Sequence, residues 1–153
     1  MKTMNKSIKN ILVPIDFSDT SRALAYYAKV FAEKFEAKLH ILHVFQEYEG
    51  ITKMVLTNKV LENLIDELKD SGVKEMEDFC KKHFNKRVEY ETHFAKGDPF
   101  KEILETIKEK DIDLVIMGTH GKSRFDHLFF GKTADRVVRR SECPVMTVRV
   151  TSW

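Results

Sequence analysis

The sequence predicts a single α/β domain over residues 1–153, built on an open, parallel five-stranded sheet flanked by helices. Two observations carry that prediction. Short apolar runs of strand length alternate along the whole chain with segments whose apolar residues recur every three or four positions. The connections between successive runs are long enough to hold a helix, and strand–helix–strand units of that length close as right-handed crossovers between parallel strands.

Ile8 to Ile15 reads as the first strand, with Ile11-Leu12-Val13 stopped by Pro14. Ser18 or Asp19 can cap the next helix, whose stripe is Leu24, Tyr27, Ala28, Phe31 and Phe35. Lys38 to Phe45 follows as a strand. A long helix from about Thr57 aligns Leu61, Leu64, Ile65, Leu68, Val73, Met76, Phe79 and Cys80 on one side, with Gly72 as a weak point in its middle. Arg87 to Phe94 alternates through Val88, Tyr90, Thr92 and Phe94, as expected of a strand near an edge. Asp98-Pro99 supplies an acceptor at the N-cap and a proline at the first helical position, ahead of Phe100, Ile103, Leu104 and Ile107. Asp113 to Met117 is the fourth strand, a helix runs from about Lys132 to Arg140, and Val145 to Val150 forms a last strand at a sheet edge. Ligands of open parallel sheets sit at the carboxyl ends of strands, near the point where strand order reverses. That rule puts Pro14, Ile15, Asp16, Val44, Met117 and Gly118 on one rim.

Composition narrows the function classes. Basic and acidic residues number 26 and 24, a net charge of +2, without the basic excess of a dedicated nucleic-acid binder. Arg136, Arg139 and Arg140 read as a solvated face. Cys80 and Cys143 stand far apart, so neither a disulfide framework nor a zinc motif is expected, and a reducing, cytoplasmic setting fits. No stretch has the length of a membrane span or of a signal-peptide core.

The segment from Met117 to Thr133 holds three of the six glycines and follows the apolar run Leu114-Val115-Ile116-Met117. A strand that breaks into glycines and then enters a helix exposes backbone N–H groups to an anion and adds the positive helix end. It is not a P-loop. Gly131-Lys132-Thr133 and Gly121-Lys122-Ser123 end like one, but Asp126 and Ile116 stand where the first glycine belongs. The dinucleotide fingerprint G-x-G-x-x-G is absent as well.

What remains is Gly118-x-x-Gly121, nine residues, then Gly131. With Val13-Pro14-Ile15-Asp16, Leu42-His43-Val44, Gly97-Asp98-Pro99, the run from Asp113 through Gly121, and Cys143-Pro144-Val145, the chain resembles the universal stress protein family over its whole length, in particular the nucleotide-binding branch. The resemblance implies a Rossmann-like fold related to the adenine nucleotide alpha hydrolases, and bound ATP, with or without magnesium. It implies that Asp16, beside Pro14 and Ile15, faces the ribose or a phosphate-bound metal, and that Val44 meets adenine through its backbone. Met117, Gly118, Gly121, Gly131 and Thr133 would line the nucleotide, with Lys122 and Lys132 among the contacts. Lys132 departs from the pattern, because serine or threonine usually follows the third glycine. Three outcomes are open for the lysine: it adds a charged phosphate contact, turns to solvent and leaves only its backbone N–H, or crowds the site. Relatives form antiparallel homodimers through the last strand, which implies the same for Val145 to Val150.

Each site residue also has a plainer role. Asp16 suits a helix cap, and Gly118 and Gly121 suit a turn without a ligand. His120 and His127 read as surface histidines, His40 and His43 as an edge or surface pair, and Cys143 as a packed small residue. Phe125, Phe129 and Phe130 read as packing onto the sheet. No Ser-His-Asp set, metal cluster or acid pair stands out, so the expectation is a non-enzymatic stress-response sensor or signalling module, with slow ATP hydrolysis at most. An ATP-independent interaction protein is the competing expectation.

Overall fold

The computed structural model describes residues 7–46, 58–120 and 131–149. Among these residues five strands and four helices alternate: β1 (Asn10–Pro14), α1 (Asp19–Phe35), β2 (Lys38–Phe45), α2 (Asn58–His83), β3 (Tyr90–Lys96), α3 (Pro99–Glu109), β4 (Leu114–Gly118), α4 (Lys132–Arg140) and β5 (Val145–Val148). The strands form one parallel sheet in the order β3-β2-β1-β4-β5. The last strand lies at an edge, as its pattern predicts. Gly121, Lys122, His127, Phe125, Phe129, Phe130 and Val150 lie outside the described residues.

Alternation along the strands splits the core in two. Ile11, Val13, Leu39, Ile41 and Ile116 point to the face covered by α1 and α2, where Leu24, Ala28, Met76 and Cys80 meet them. Leu12, Leu42, Val115 and Met117 point to the other face, against Ile103, Ile107, Ala134 and Val137 of α3 and α4. Strands covered on both faces read as continuous apolar runs, which is why β1, β2 and β4 were legible. Edge strand β3 has no fully buried position. It begins at Tyr90 rather than Arg87, and the buried Val88 packs from the loop before it.

Helix α3 starts as predicted: Asp98 Oδ1 accepts from the Phe100 N–H at 3.0 Å, with Pro99 at the first helical position. Helix α1 does not. Ser18 takes the N-cap position but makes no side-chain cap bond, and the Asp16 carboxylate accepts from the Ser18 N–H instead.

Helix α2 also differs from expectation, because its stripe is buried only toward its carboxyl end. Met76 and Cys80 are buried, whereas Leu64, Leu68 and Val73 are exposed. Gly72 marks the change: a Cβ there would stand 2.7 Å from Cζ of Phe45, the last residue of β2. The glycine therefore permits the closest approach of helix to strand end, and it does not interrupt the helix. Helix α2 runs back along the sheet from this crossing. The helix before this crossing, residues 58–71, is about 20 Å long at 1.5 Å per residue.

His40 and His43 are not a surface pair. β2 is an inner strand, and His40 is 4% exposed. Its Nδ1 lies 2.9 Å from Nε2 of His93 on β3, and its Nε2 lies 3.2 Å from Asn10 Oδ1 on β1. Burial first, and then the neighbouring His93, depress the pKa of His40; burial likewise depresses His93, opposed by Glu91. Lys38 and Lys110 also face the pair and disfavour its charge. An unfolded chain takes up protons below the ordinary imidazole value of about 6.5 that the folded pair refuses. Stability should therefore fall as pH drops through that value and level off once the folded rings protonate. Thermal melts between pH 7.5 and about 5 should show this slope, and His93→Gln should flatten it.

Candidate nucleotide site

β1 continues into β2 on one side and has β4 on the other, so strand order reverses between β1 and β4. The ladder joining them holds Ile11 to Leu114 and Leu12 to Val115, short of both carboxyl ends. Such a reversal leaves a crevice at the carboxyl rim. The described site residues predicted from sequence collect there at the ends of β1, β2 and β4 and at the start of α4.

On the β1 side, Pro14 ends the strand and the Ile15 N–H donates to the Leu42 carbonyl at 2.8 Å. Asp16 follows half-buried, its Oδ1 accepting from the Ser18 N–H at 3.0 Å and the Ser21 hydroxyl at 3.3 Å. Its Oδ2 has no partner among the described residues. Phe17 makes this turn in the left-handed region, at φ 60°, a conformation that costs a bulky residue on the order of 1–3 kcal/mol. Its ring is held against His43 and Phe79, at centroid distances of 4.6 and 6.3 Å.

At the end of β2, His43 donates from Nδ1 to the Ile15 carbonyl at 2.9 Å, which ties β2 to the start of the Asp16 turn. The Leu42 carbonyl points to β1, and the Phe45 carbonyl accepts from Gly97 on the opposite side. Alternation therefore aims the Val44 N–H and C=O past the end of β1, where no described residue pairs with them. An exposed donor and acceptor of this kind can read the edge of a planar base.

On the β4 side, Met117 is buried in the core and Gly118 ends the strand. A Cβ on Gly118 would lie 2.7 Å from Thr20 Cγ2 and 3.2 Å from the His120 carbonyl. Gly118 is thus required by the packing of α1 against β4, whatever binds nearby. The Gly131 N–H donates to the Thr119 carbonyl at 2.7 Å, joining the two ends of the intervening segment. Gly131 is the N-cap of α4 and offers no side chain, so the N–H groups of Lys132, Thr133 and Ala134 have no side-chain cap. Lys132 is exposed at this start and Thr133 is half-buried.

Sequence reasoning missed two groups. His120 is a half-buried residue and not a surface one: its Nδ1 lies 2.9 Å from Thr119 Oγ1, while its buried Nε2 has no partner among the described residues. Ser18 Oγ is likewise buried and unpartnered. A native fold rarely leaves such atoms unsatisfied, so two at one rim suit a polar ligand. Nothing in the spacing of a lone Ser or His signals this, because it depends on which cap bonds are not made. The arginines of α4 are engaged locally: Arg136 lies 3.8 Å over the Phe100 ring and 3.2 Å from Asp98, and Arg139 pairs with Asp135.

Fold and rim together define a doubly wound parallel α/β domain with a polar, anion-compatible crevice at its switch point. A family model for the universal stress protein family matches residues 7–149, and the chain belongs to that family. Universal stress protein YxiE of Bacillus subtilis is 37% identical, over 91% of this chain and 97% of its own. MJ0577 of Methanocaldococcus jannaschii, also a universal stress protein, is 28% identical over 95% of this chain and 98% of its own. Its solved structure matches with a TM-score of 0.83, covering 97% of this chain and all of that one. A universal stress protein of Arabidopsis thaliana solved with AMP bound matches in fold, with a TM-score of 0.64 and 20% identity, over 94% of this chain and 93% of that one.

The contact at Gly118 yields a direct test. Gly118→Ala should destabilise the fold by about 1–3 kcal/mol, because the methyl group meets the stiff Thr20 side chain. Adding Thr20→Ser removes Cγ2 and should recover part of that loss in urea unfolding. Equal losses in the single and double variants would mean that Thr20 is not what excludes the methyl group.

Proposed function

We propose that this universal stress protein binds ATP or a closely related adenine nucleotide at the carboxyl rim, and acts as a stress-response sensor whose conformation or partner choice follows the nucleotide. The observation that carries the reading is the concentration of unused polar groups at one rim. Among the described residues, the first-turn N–H groups of α4 have no side-chain cap, and Ser18 Oγ and His120 Nε2 are buried without partners. The helix start suits phosphate by its dipole and free N–H groups. Val44 suits the base through its backbone, and Asp16 suits a ribose hydroxyl or a phosphate-bound magnesium through Oδ2. Lys132 is exposed at the same helix start and adds positive charge there in place of the usual hydroxyl. The Arabidopsis relative, which shares this fold, was solved with AMP bound, an adenine nucleotide.

The same groups favour binding over rapid chemistry. Asp16 spends Oδ1 on the turn into α1. No base oriented by a second acid accompanies it among the described residues, so hydrolysis, where it occurs, is slow.

Nucleotide retained by the purified protein, or a melting temperature raised by ATP and magnesium, is the expected result. No shift at millimolar ATP would favour an ATP-independent interaction protein. Asp16→Asn keeps an acceptor for the Ser18 N–H but removes the charge, and should weaken ATP by about tenfold or more. Unchanged affinity would leave Asp16 as a cap alone.

Among the described residues, the outer edge of β5 has no neighbour in the sheet. Unpaired edges recruit other strands unless blocked. We propose an antiparallel homodimer through Val145 to Val148. Light scattering should give twice the chain mass, and Thr147→Pro, which places a helix- and ladder-breaking residue in that edge, should shift it toward the monomer.

A further inference from the structure

A second cluster lies away from the nucleotide rim, toward the amino ends of the strands. His40 on β2 and Glu91 and His93 on β3 project from the sheet face that carries α3, since His40 pairs in register with Glu91 and Leu42 with His93. One ligand atom from each of the three can be chosen so that all lie within 4.8 Å of one another. We propose that His40, His93 and Glu91 bind a first-row divalent cation of the zinc type. The proposal is independent of the nucleotide reading.

The strongest support is how the His40 ring is held. Asn10 Nδ2 donates to the Asp111 carbonyl at 3.5 Å, which turns its Oδ1 toward His40 Nε2 at 3.2 Å. His40 therefore carries its proton on Nε2, and its Nδ1 lone pair points at His93 Nε2, 2.9 Å away. A histidine whose distal N–H is fixed by an amide oxygen, leaving the other nitrogen bare, has the arrangement that orients metal-binding imidazoles. Without metal, His93 fills the gap by donating from Nε2. With metal, that proton moves to Nδ1, which faces Glu91 Oε1 at 3.9 Å.

The distances suit this exchange. Two zinc–nitrogen bonds of about 2.0–2.1 Å at a tetrahedral angle hold their nitrogens about 3.3–3.4 Å apart. The rings need to separate by about 0.4–0.5 Å on that geometry. His93 belongs to an edge strand and can move more readily than the buried His40. Two imidazoles and a carboxylate form a donor set that selects zinc-like ions over magnesium or calcium. Water would complete the coordination from the solvent side.

Two cations oppose the site. Glu91 accepts Lys38 Nζ at 2.9 Å and Lys110 Nζ at 3.6 Å, so its carboxylate must turn away from at least one lysine. Lys38 keeps a second partner in Glu89, 3.5 Å away, and both lysine side chains are about one-third exposed. They can withdraw into water, and this competition predicts moderate rather than tight affinity.

The test uses the full chain without a histidine tag, stripped with chelator and then titrated with cobalt(II). The expected result is one equivalent bound with visible absorption characteristic of low coordination number, displaced by zinc(II). His93→Gln and Glu91→Gln should each weaken binding at least about tenfold, with circular dichroism showing both still folded. His83→Gln, on α2 and remote from the cluster, should bind as the parent does. No cobalt or zinc binding at high micromolar concentration would overturn the proposal. So would binding that His93→Gln leaves intact, because the ion would then sit elsewhere.

Discussion

The rim depends on one constraint: β1 must be paired on both sides while its carboxyl end is released from β4. Ile11, Leu12 and Val13 are wholly buried, and β2 follows β1 in register as far as Pro14. On the other flank the ladder to β4 holds only the two pairs nearest the amino end. Pro14 contributes to this asymmetry because it brings no N–H to extend the pairing. The chain then enters the left-handed turn at Phe17, and the Asp16 carboxylate, not a Ser18 hydroxyl, steadies the start of α1. Backbone strain at that residue is offset by its ring packing on His43 and Phe79.

The glycines of the rim serve the architecture as much as any ligand. Gly118 lets Thr20 of α1 approach β4, and a Cβ on Gly131 would stand 2.9 Å from the Thr119 carbonyl. Loss of either would therefore disturb the fold before it reported on binding. Asp16, Ser18 and His120 are the more informative positions, since their unspent polar atoms have no comparable packing duty.

The alternation of buried strands and amphipathic helices was legible because parallel strands covered on both faces must be continuously apolar. The place of the last strand at an edge followed from its own alternation. Helix α2 was misjudged because periodicity shows which residues share a side but not how far the partner surface extends. Leu64 and Leu68 continue the stripe and are nevertheless exposed. His40 and His43 were misjudged because a polar residue in a strand looks like a surface residue until its partners on neighbouring strands are known. His93 and Asn10 come from 53 and 30 positions away in sequence. The rim residues were legible from the spacing of glycines and from the resemblance to a family. The missing cap bond at Ser18 and the orphaned nitrogen of His120 were not, since both are properties of three-dimensional neighbours.

Asp98 divides its two oxygens between two helices. Oδ1 caps α3 through the Phe100 N–H, and Oδ2 holds Arg136 of α4, whose guanidinium lies on the Phe100 ring. A single carboxylate at the β3 edge is thus fastened to the helix whose first turn borders the switch point. Tilting α4 would pull on the corner between β3 and α3, and so on the opposite margin of the sheet. The corner between β3 and α3 is thereby tied to α4 through one exposed ion pair and one ring contact.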